Sequence, residues 1–400
     1  MDAHKIPMSL DDITPQWISS AIGLTINEDS SFKLIPNIQD GSGFLSSMIR
    51  VQAETTINGS KKPINLIVKL LPMDKDKRGF VKSQGLDATE NNFYAHIVTK
   101  ITEIVPELEY YFCKCYYSAV DTEDKCAGSS VLILDDLQPK GYYAISFTEN
   151  IPNDRLHDVI KFMAKFHFAS RAIEIREGVP LSKMYNFLQG VSREKGVVDF
   201  MNVMVKSGFS KCFDELVSHG AQLYVCSAVK NCLKASDSIV DFVLNSGETH
   251  PCLIHGDLWS NNILFRDGIS AEKNTIVIDW QLLAYKNPTF DLTVTMLSCL
   301  PQEQVCKSRV DELLKMYYAL YVENCETNEI GKQHDLKSFT PFGNFMEFEK
   351  FFYTYGMSYA LVWFAASVEA FDKDMPRFIR VMEFLVGELK MYDFLREQIA

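Results

Sequence analysis

Two apolar runs with β-branched alternation, IRVQAETTI at 49–57 and PINLIVKLL at 63–71, flank the dipeptide Asn58–Gly59. That pattern predicts an antiparallel hairpin closed by a two-residue turn. After it, ATENNFYAHIVTKI at 88–101 places apolar residues at helical spacing, and SSVLILDDLQPKGY at 129–142 reads as a buried strand running into two acids and turn residues. The pattern then changes period. Asn153 to Arg171 predicts a buried helix, and EKGVVDFMNVMVKSGF and KCFDELVSHGAQLYVCSAVKNCLKAS predict further helices up to about residue 245. CLIHGDLWSNNILF at 252–265 begins and ends in strand-like residues around a polar cluster, and reads as strand, tight loop, strand. After the polar break RDGISAEKN comes another short strand, TIVIDW, and the C-terminal part carries a helical apolar face rich in aromatic residues. The sum is an α+β chain in two lobes: a β-rich first lobe over residues 1–136 with one main helix, and a larger, mainly helical lobe over 137–400.

Four hundred residues are too many for one ordinary core, which supports the two-lobe division. A formal charge of −12 has the wrong sign for holding a nucleic-acid backbone. The N-terminal MDAHKIPMSLDDITPQW lacks the apolar core of a signal peptide, and the longest apolar run, Gly356 to Val368, is too short to span a membrane. The ten cysteines are scattered, and the close pair Cys113 and Cys115 has no second pair at zinc-site spacing. Reduced thiols in a cytoplasmic protein are expected, so the sequon at Asn58 carries no glycan. No obligate protein partner is expected.

Several polar residues stand where packing alone would not put them. Lys69 ends the apolar run NLIVK, and a buried ammonium there needs an anion to compensate. Twenty-one residues on, Glu90 lies near the start of a predicted helix. A strand lysine paired with a helix glutamate is what a nucleotide kinase uses to grip and orient phosphates. Upstream, in QDGSGFLSS, Gly41 and Gly43 would let backbone approach a ligand, and Ser46 could add a hydroxyl donor. Backbone groups around Asp135 and Leu137, at the passage between lobes, could hold an adenine edge. His157 and His167 fall on the predicted buried helix, where a packed, hydrogen-bonded histidine is the usual finding.

In the HGDLWSNN loop, His255, Asp257 and Asn262 stand at the spacing H-x-D-x-x-x-x-N, with Gly256 relaxing the backbone. Phosphoryl transfer needs a carboxylate to orient the attacking hydroxyl and take its proton, and oxygen ligands to hold magnesium. Asp257 suits the first task. Asn262 suits part of the second, and Asp279, at the end of TIVIDW, supplies a further ligand.

These elements together resemble the choline and aminoglycoside phosphotransferase superfamily and, within it, the ecdysteroid kinase-like family of insects. The resemblance runs nearly end to end: HGDLWSNNILF, VIDWQ, IVKLLP at Lys69, E-x-x-F-Y at Glu90 to Tyr94, ILDDL at 133–137, KFMAKFHFAS, and PTFDL ending at Asp291. It implies a bilobed protein kinase-like fold and transfer of the γ-phosphate of ATP, with Mg2+, to a substrate hydroxyl. By that resemblance Asp257 is the catalytic base, Asn262 and Asp279 bind magnesium, Lys69 contacts phosphates while paired to Glu90, and His255 and Asp291 brace the loop. The glycine loop departs from the family's Gly-Asn-Tyr pattern, so roles for Ser42 and Ser46 are not carried over. Gly256 stands where protein kinases have arginine, Asp279-Trp280-Gln281 replaces D-F-G, and twelve positions separate Asp279 from Asp291, too few for an activation loop. Protein substrates are therefore not expected.

The implied acceptor is an ecdysteroid or a xenobiotic alcohol met in detoxification, with some of the C-terminal aromatic rings lining a cleft beside Asp257. A choline- or ethanolamine-type kinase is the alternative. A pseudokinase, or a lipid or hormone carrier, is the reading from another class.

Overall fold

The computed structural model describes residues 6–27, 31–36, 45–57, 59–121, 128–145, 149–188, 195–246, 250–268, 274–340, 342 and 344–399. Strands β1 (Lys33–Pro36), β2 (Ser47–Ile57), β3 (Ser60–Leu70), β4 (Cys115–Val120) and β5 (Ser130–Asp135) form an antiparallel sheet in the order β1-β2-β3-β5-β4. The predicted hairpin is present. Ile57 faces Ser60 across the turn, where Gly59 takes φ 76°, a left-handed conformation that glycine adopts without steric cost.

Both faces of this sheet are covered, which explains why β3 reads as a nearly continuous apolar run. Leu66, Val68 and Leu70 pack in a small core with Val51, Ile133 and Ile18 of α1 (Pro15–Ile22). The alternate residue Ile67 turns the other way, into the main core with Phe93 and Ile97. Lys69 shares the face of Ile67, because side chains two apart in a strand point the same way. It is therefore aimed at the helical layer. That layer contains α2 (Lys75–Ser83), α3 (Leu86–Asn92) and α4 (Val98–Ile104), with a π turn at Phe93–Ile97 joining the last two. The expected single main helix of this part is thus a kinked α3–α4 unit accompanied by α1 and α2. These two are short, and tertiary packing rather than pattern length decides them.

The rest is mainly helical: α5 (Asn153–Glu177), α6 (Leu181–Met184), α7 (Lys195–Ser218), α8 (Leu223–Lys234) and α9 (Ser236–Ser246), then, beyond a strand region, α10 (Thr289–Cys299), α11 (Lys307–Thr327), α12 (Leu336–Phe339), α13 (Phe345–Phe351), α14 (Met357–Ala366), α15 (Met375–Met382) and α16 (Met391–Ile399). The helix expected over 211–236 is divided. Its first part belongs to α7, which ends before Gly220 at φ 69°. Between the helical groups lie short ladders: β6 (Tyr142–Ala144), β8 (Ile263–Arg266) and β9 (Thr275–Val277) in the order β6-β8-β9, and β7 (Cys252–Ile254) paired with β10 (Ala284–Lys286). The two strands bracketing HGDLWSNN therefore belong to different ladders. The loop between them is a crossover, and it is β8 and β9 that form a hairpin.

An apolar cluster runs without interruption from Ile67 and Phe93 to Leu395. Trp280, fully buried, sits where the sheet layer meets the helices: its indole stacks on Phe93 at 3.8 Å and 13°, and has Phe112, Phe162 and Phe166 around it. The whole is an α+β, bilobed protein kinase-like architecture. No helix among the described residues is long and apolar enough to cross a membrane. Truncating Trp280→Ala should destabilise the chain by about 3–5 kcal/mol, the usual cost of emptying such a volume in a packed core. Urea unfolding with an unchanged m value would measure it; a loss below 1 kcal/mol would mean the indole does not join the two layers.

Candidate active site

The first cluster grows from β3. The Lys69 ammonium lies 2.7 Å from Glu90 Oε2 and 2.8 Å from Asp279 Oδ1, and the Lys69 and Glu90 side chains are 10% and 3% exposed. Burial by itself would lower the lysine pKa, but the carboxylates of Asp279 and Glu90 outweigh it and hold the ammonium above its ordinary range. Glu90 uses its other oxygen, Oε1, to accept the Trp280 backbone N–H at 3.3 Å. One carboxylate thus binds both the lysine and the residue after Asp279. Asp279 itself is half-exposed and adopts φ 64°, ψ 65°, a left-handed conformation unusual for a residue with a Cβ. The buried indole on one side and Glu90 on the other hold it there.

The second cluster is the crossover after β7. Asp291, buried in the first turn of α10, accepts the His255 N–H on Oδ2 at 2.7 Å and the Gly256 N–H on Oδ1 at 2.9 Å. The buried His255 ring bridges the other way. Its Nε2 lies 2.9 Å from the Ile278 carbonyl, and its Nδ1 is 3.3 Å from the Asp257 N–H. A carbonyl only accepts and an amide only donates, so the ring is neutral with its proton on Nε2. Burial lowers its pKa and favours that form. Gly256 has φ 84°, and a Cβ there would come within 2.1 Å of the Leu282 carbonyl oxygen. Only glycine fits.

Asp257 leaves this loop beside Asn262, whose Nδ2 donates to the Asp257 carbonyl at 2.8 Å and to its Oδ2 at 3.0 Å. Asn262 is in turn fixed against the next ladder, its carbonyl accepting the Ile278 N–H at 3.0 Å. With Nδ2 so engaged, Oδ1 is the asparagine atom available to a metal. Oxygen donors from Asn262 and Asp279 fit a hard cation such as Mg2+, which takes few protein ligands and completes its shell with phosphate and water. Burial, and next the negative charge of Asp279, push the Asp257 carboxyl up to about 7; hydrogen bonds from the Asn262 and Trp363 side chains oppose this. A carboxyl poised there can take a proton at neutral pH.

Aromatic side chains lie against the Asp257 loop. Tyr359 of α14 stacks on Phe290 at 3.9 Å and 3°, and its hydroxyl reaches the Gly256 carbonyl at 3.3 Å. One turn on, Trp363 meets Trp259 edge to face at 6.0 Å. Tyr359 and Trp363 belong to the aromatic-rich C-terminal stretch, but nothing in its periodicity separates them from the purely packed rings around them. Trp280 was visible only as part of D-W-Q.

The other sequence-predicted positions fare unequally. Ser46 borders a small cavity with Lys69 and Glu90. Gly41 and Gly43 lie outside the described residues, as does Asn58. Asp135 donates its N–H to the Lys114 carbonyl at 2.9 Å, receives the Cys113 thiol on its own carbonyl at 3.5 Å, and pairs its carboxylate with Lys140. Its backbone N–H and carbonyl are thus taken up by the segment that leads into β4. Leu137 is buried, and its carbonyl accepts the Lys140 and Tyr142 N–H groups. His167 is buried, with Nδ1 2.9 Å from the Tyr317 hydroxyl.

A family model described as the ecdysteroid kinase-like family matches residues 40–329. Among curated proteins, the chain is 23% identical over 336 residues to a Caenorhabditis elegans protein named Uncharacterized oxidoreductase dhs-27, a match spanning 79% of this chain and 38% of that protein. This chain therefore covers well under half the length of that relative. Similar solved structures include the GDP complex of wild-type aminoglycoside 2'-phosphotransferase-IIIa, at 14% identity and TM-score 0.42 over 90% of this chain and 94% of that one. Glucosamine kinase in complex with glucosamine, ADP and inorganic phosphate is similar at 10% identity and TM-score 0.42, over 97% and 88%.

The poise of Asp257 has a thermodynamic consequence. Its carboxyl binds a proton more tightly in the folded chain, at about 7, than at its ordinary value of 3.8, so its contribution opposes folding increasingly as pH rises through that window. Asp257→Asn should therefore melt above the wild type at pH 8, with the gap closing toward pH 4. A gap that does not change with pH would contradict the shift.

Proposed function

We propose that this chain, which belongs to the ecdysteroid kinase-like family, is an ATP-dependent phosphotransferase whose acceptor is the hydroxyl of a small organic alcohol carrying an apolar ring system, an ecdysteroid or a xenobiotic alcohol. The observation that carries this reading is the convergence of two clusters on Asp279: Lys69 with Glu90 on one side, and on the other Asp257, its carboxyl raised by burial and next by the Asp279 charge, and hydrogen-bonded to Asn262. In this reading residues 1–136 hold the nucleotide and 137–400 hold the acceptor, and the protein works in the cytoplasm.

The acceptor hydroxyl donates a hydrogen bond to Asp257. As its oxygen forms a bond to the γ-phosphorus and the bond to the leaving ADP oxygen breaks, the proton passes to Asp257 and then to water. Lys69 donates to phosphate oxygens while Glu90 and Asp279 keep it charged and aimed. Asn262 and Asp279 offer the oxygen ligands for magnesium, which would offset charge on the phosphates. His255 and Asp291 fix the backbone on either side of Gly256, so Asp257 is held in place before substrate arrives. The rings of Tyr359, Trp259 and Trp363 near Asp257 favour an acceptor with an apolar surface. A quaternary ammonium would also find rings and a carboxylate here, so choline and ethanolamine belong in the test.

Purified protein with ATP and magnesium should consume ATP in the presence of one or more ecdysteroids or plant-derived alcohols. The value of kcat/KM should fall as pH drops below about 7, where Asp257 becomes protonated. Asp257→Asn should reduce turnover by about 10²–10⁴-fold while ATP still binds. Turnover confined to choline or ethanolamine would replace the acceptor class, and an Asp257→Asn rate near wild type would remove Asp257 from the base role. ATP binding without turnover on any acceptor would favour a pseudokinase; absence of ATP binding would favour a carrier. Separately, Asp279→Ala should weaken magnesium-dependent ATP binding, measured by calorimetry with and without the metal. Unchanged metal dependence would count against that ligand.

A further inference from the structure

Strand β7 has two ends. Its C-terminal end feeds His255, Gly256 and Asp257; at its N-terminal end, around His250 and Cys252, lies a cavity of about 260 Å³ that none of the nucleotide, base or metal residues above lines. Its walls are aromatic, with Tyr317 and Tyr318 of α11, Phe348 stacked on both, and Phe339 and Phe342. Its charged lining is cationic: Arg171 of α5 and Lys337 of α12, with no aspartate or glutamate among the lining residues. Arg171 is held in position by its pairing with Glu174 and by donating to the Ser338 carbonyl at 3.3 Å. At the rim, His250 has φ 53° and sets its ring edge against Phe342 at 5.5 Å, a non-glycine residue in a left-handed conformation beside a cavity.

Flat aromatic walls select a planar apolar body, and the exposed ammonium of Lys337, beside the N–H donors of an Arg171 already paired with Glu174, selects an anionic substituent on it. A volume near 260 Å³ limits the body to one or two rings.

The cavity also touches the machinery that holds the Asp257 loop. Tyr317, in its wall, has its hydroxyl 2.9 Å from His167 Nδ1. The fully buried His167 presents Nε2 to Asp291 Oδ2 at 3.6 Å, too far for a hydrogen bond, and Nε2 has no hydrogen-bond partner. That same Oδ2 accepts the His255 N–H. A small displacement of Tyr317 and His167 would close or widen this gap, and so change the hold of Asp291 on the His255 and Gly256 amides. We propose that this cavity is a second ligand site, for a small aromatic carboxylate or sulfonate, and that its occupancy reaches the Asp257 loop through Tyr317, His167 and Asp291.

The test uses 2-naphthoate as probe and the full chain. Its fluorescence should saturate at one site, with the neutral isostere 2-naphthamide binding about tenfold more weakly, since a charge-assisted hydrogen bond separates the two. Lys337→Glu, an exposed change, should weaken naphthoate by about fivefold and leave the amide unaffected. Saturating magnesium–ATP and acceptor alcohols should not displace the probe. Hydrogen exchange of residues 252–258 should change at least about twofold on naphthoate binding, and this response should vanish in Tyr317→Phe while binding persists. No saturable binding, equal binding of the amide, or displacement by an acceptor alcohol would overturn the site. Binding with unaltered exchange would overturn the link to the loop. Neither readout depends on turnover, so failure here is separable from failure of the phosphotransferase reading.

Discussion

Burial of one indole is the constraint on which the site depends. Removing an aromatic side chain of this size from water is worth on the order of 4–6 kcal/mol, whereas a single left-handed non-glycine residue costs about 1–2 kcal/mol. The first term wins, so the chain drives Trp280 between Phe93 and His255 and accepts the left-handed backbone at Asp279. The consequence is directional. With Trp280 pointing into the core and its N–H on Glu90, the preceding carboxylate points the other way, onto Lys69. Packing, rather than an attraction of charges across solvent, sets the position of the acid.

Electrostatics then divides the acids by task. Glu90 and Asp279 share one ammonium, and Asp291 is satisfied by two backbone N–H donors. Glu90 is raised by burial but opposed by Lys69, whereas Asp257, raised by burial and next by the charge of Asp279, has the neutral donors of Asn262 and Trp363 and no cation against it, and its carboxyl is pushed to about 7. Carboxyl groups of one chemistry are thus separated by environment into structural, charge-orienting and proton-accepting roles. Burial is the largest cause of the Asp257 shift, and the Trp363 hydrogen bond works against it.

How much of this was legible in the sequence differs residue by residue. The β2–β3 hairpin was readable because strand period and turn chemistry agree locally, and Lys69 was conspicuous because an ammonium closing an apolar run demands a partner. Glu90 could be matched to it only through an order of motifs, since nothing local tells that a helix 21 residues on lies across the sheet face of Lys69. The β7–β8 segment looked like strand, loop, strand, which its residues are, but pairing is non-local: β7 found β10 and β8 found β6 and β9. The short α1 and α2 were missed because eight or nine residues give too brief a periodicity to read, and α2 is polar in composition as well. Tyr359 and Trp363 were hidden among rings that serve only the core, and the His167–Asp291 approach joins residues 124 positions apart.

The distance from Asp279 to Asp291 also constrains how such a site can be controlled. Those twelve positions are filled by a tight turn at Trp280–Leu282, by β10 paired to β7, and by Asn287, whose Oδ1 accepts the Thr289 N–H at 2.9 Å as α10 begins. Each part is committed to a ladder, a cap or the core, and the Leu282 carbonyl lies against Gly256, leaving no room for a side chain. A segment packed in this way has no slack to swing in and out as a gate. One polar contact in this region that stops short of a bond is the 3.6 Å gap between His167 and Asp291, behind the loop rather than in front of it. Control of Asp257 without dismantling a ladder would therefore have to come from behind the loop, where Asp291 holds the backbone and Tyr317 reaches the second cavity.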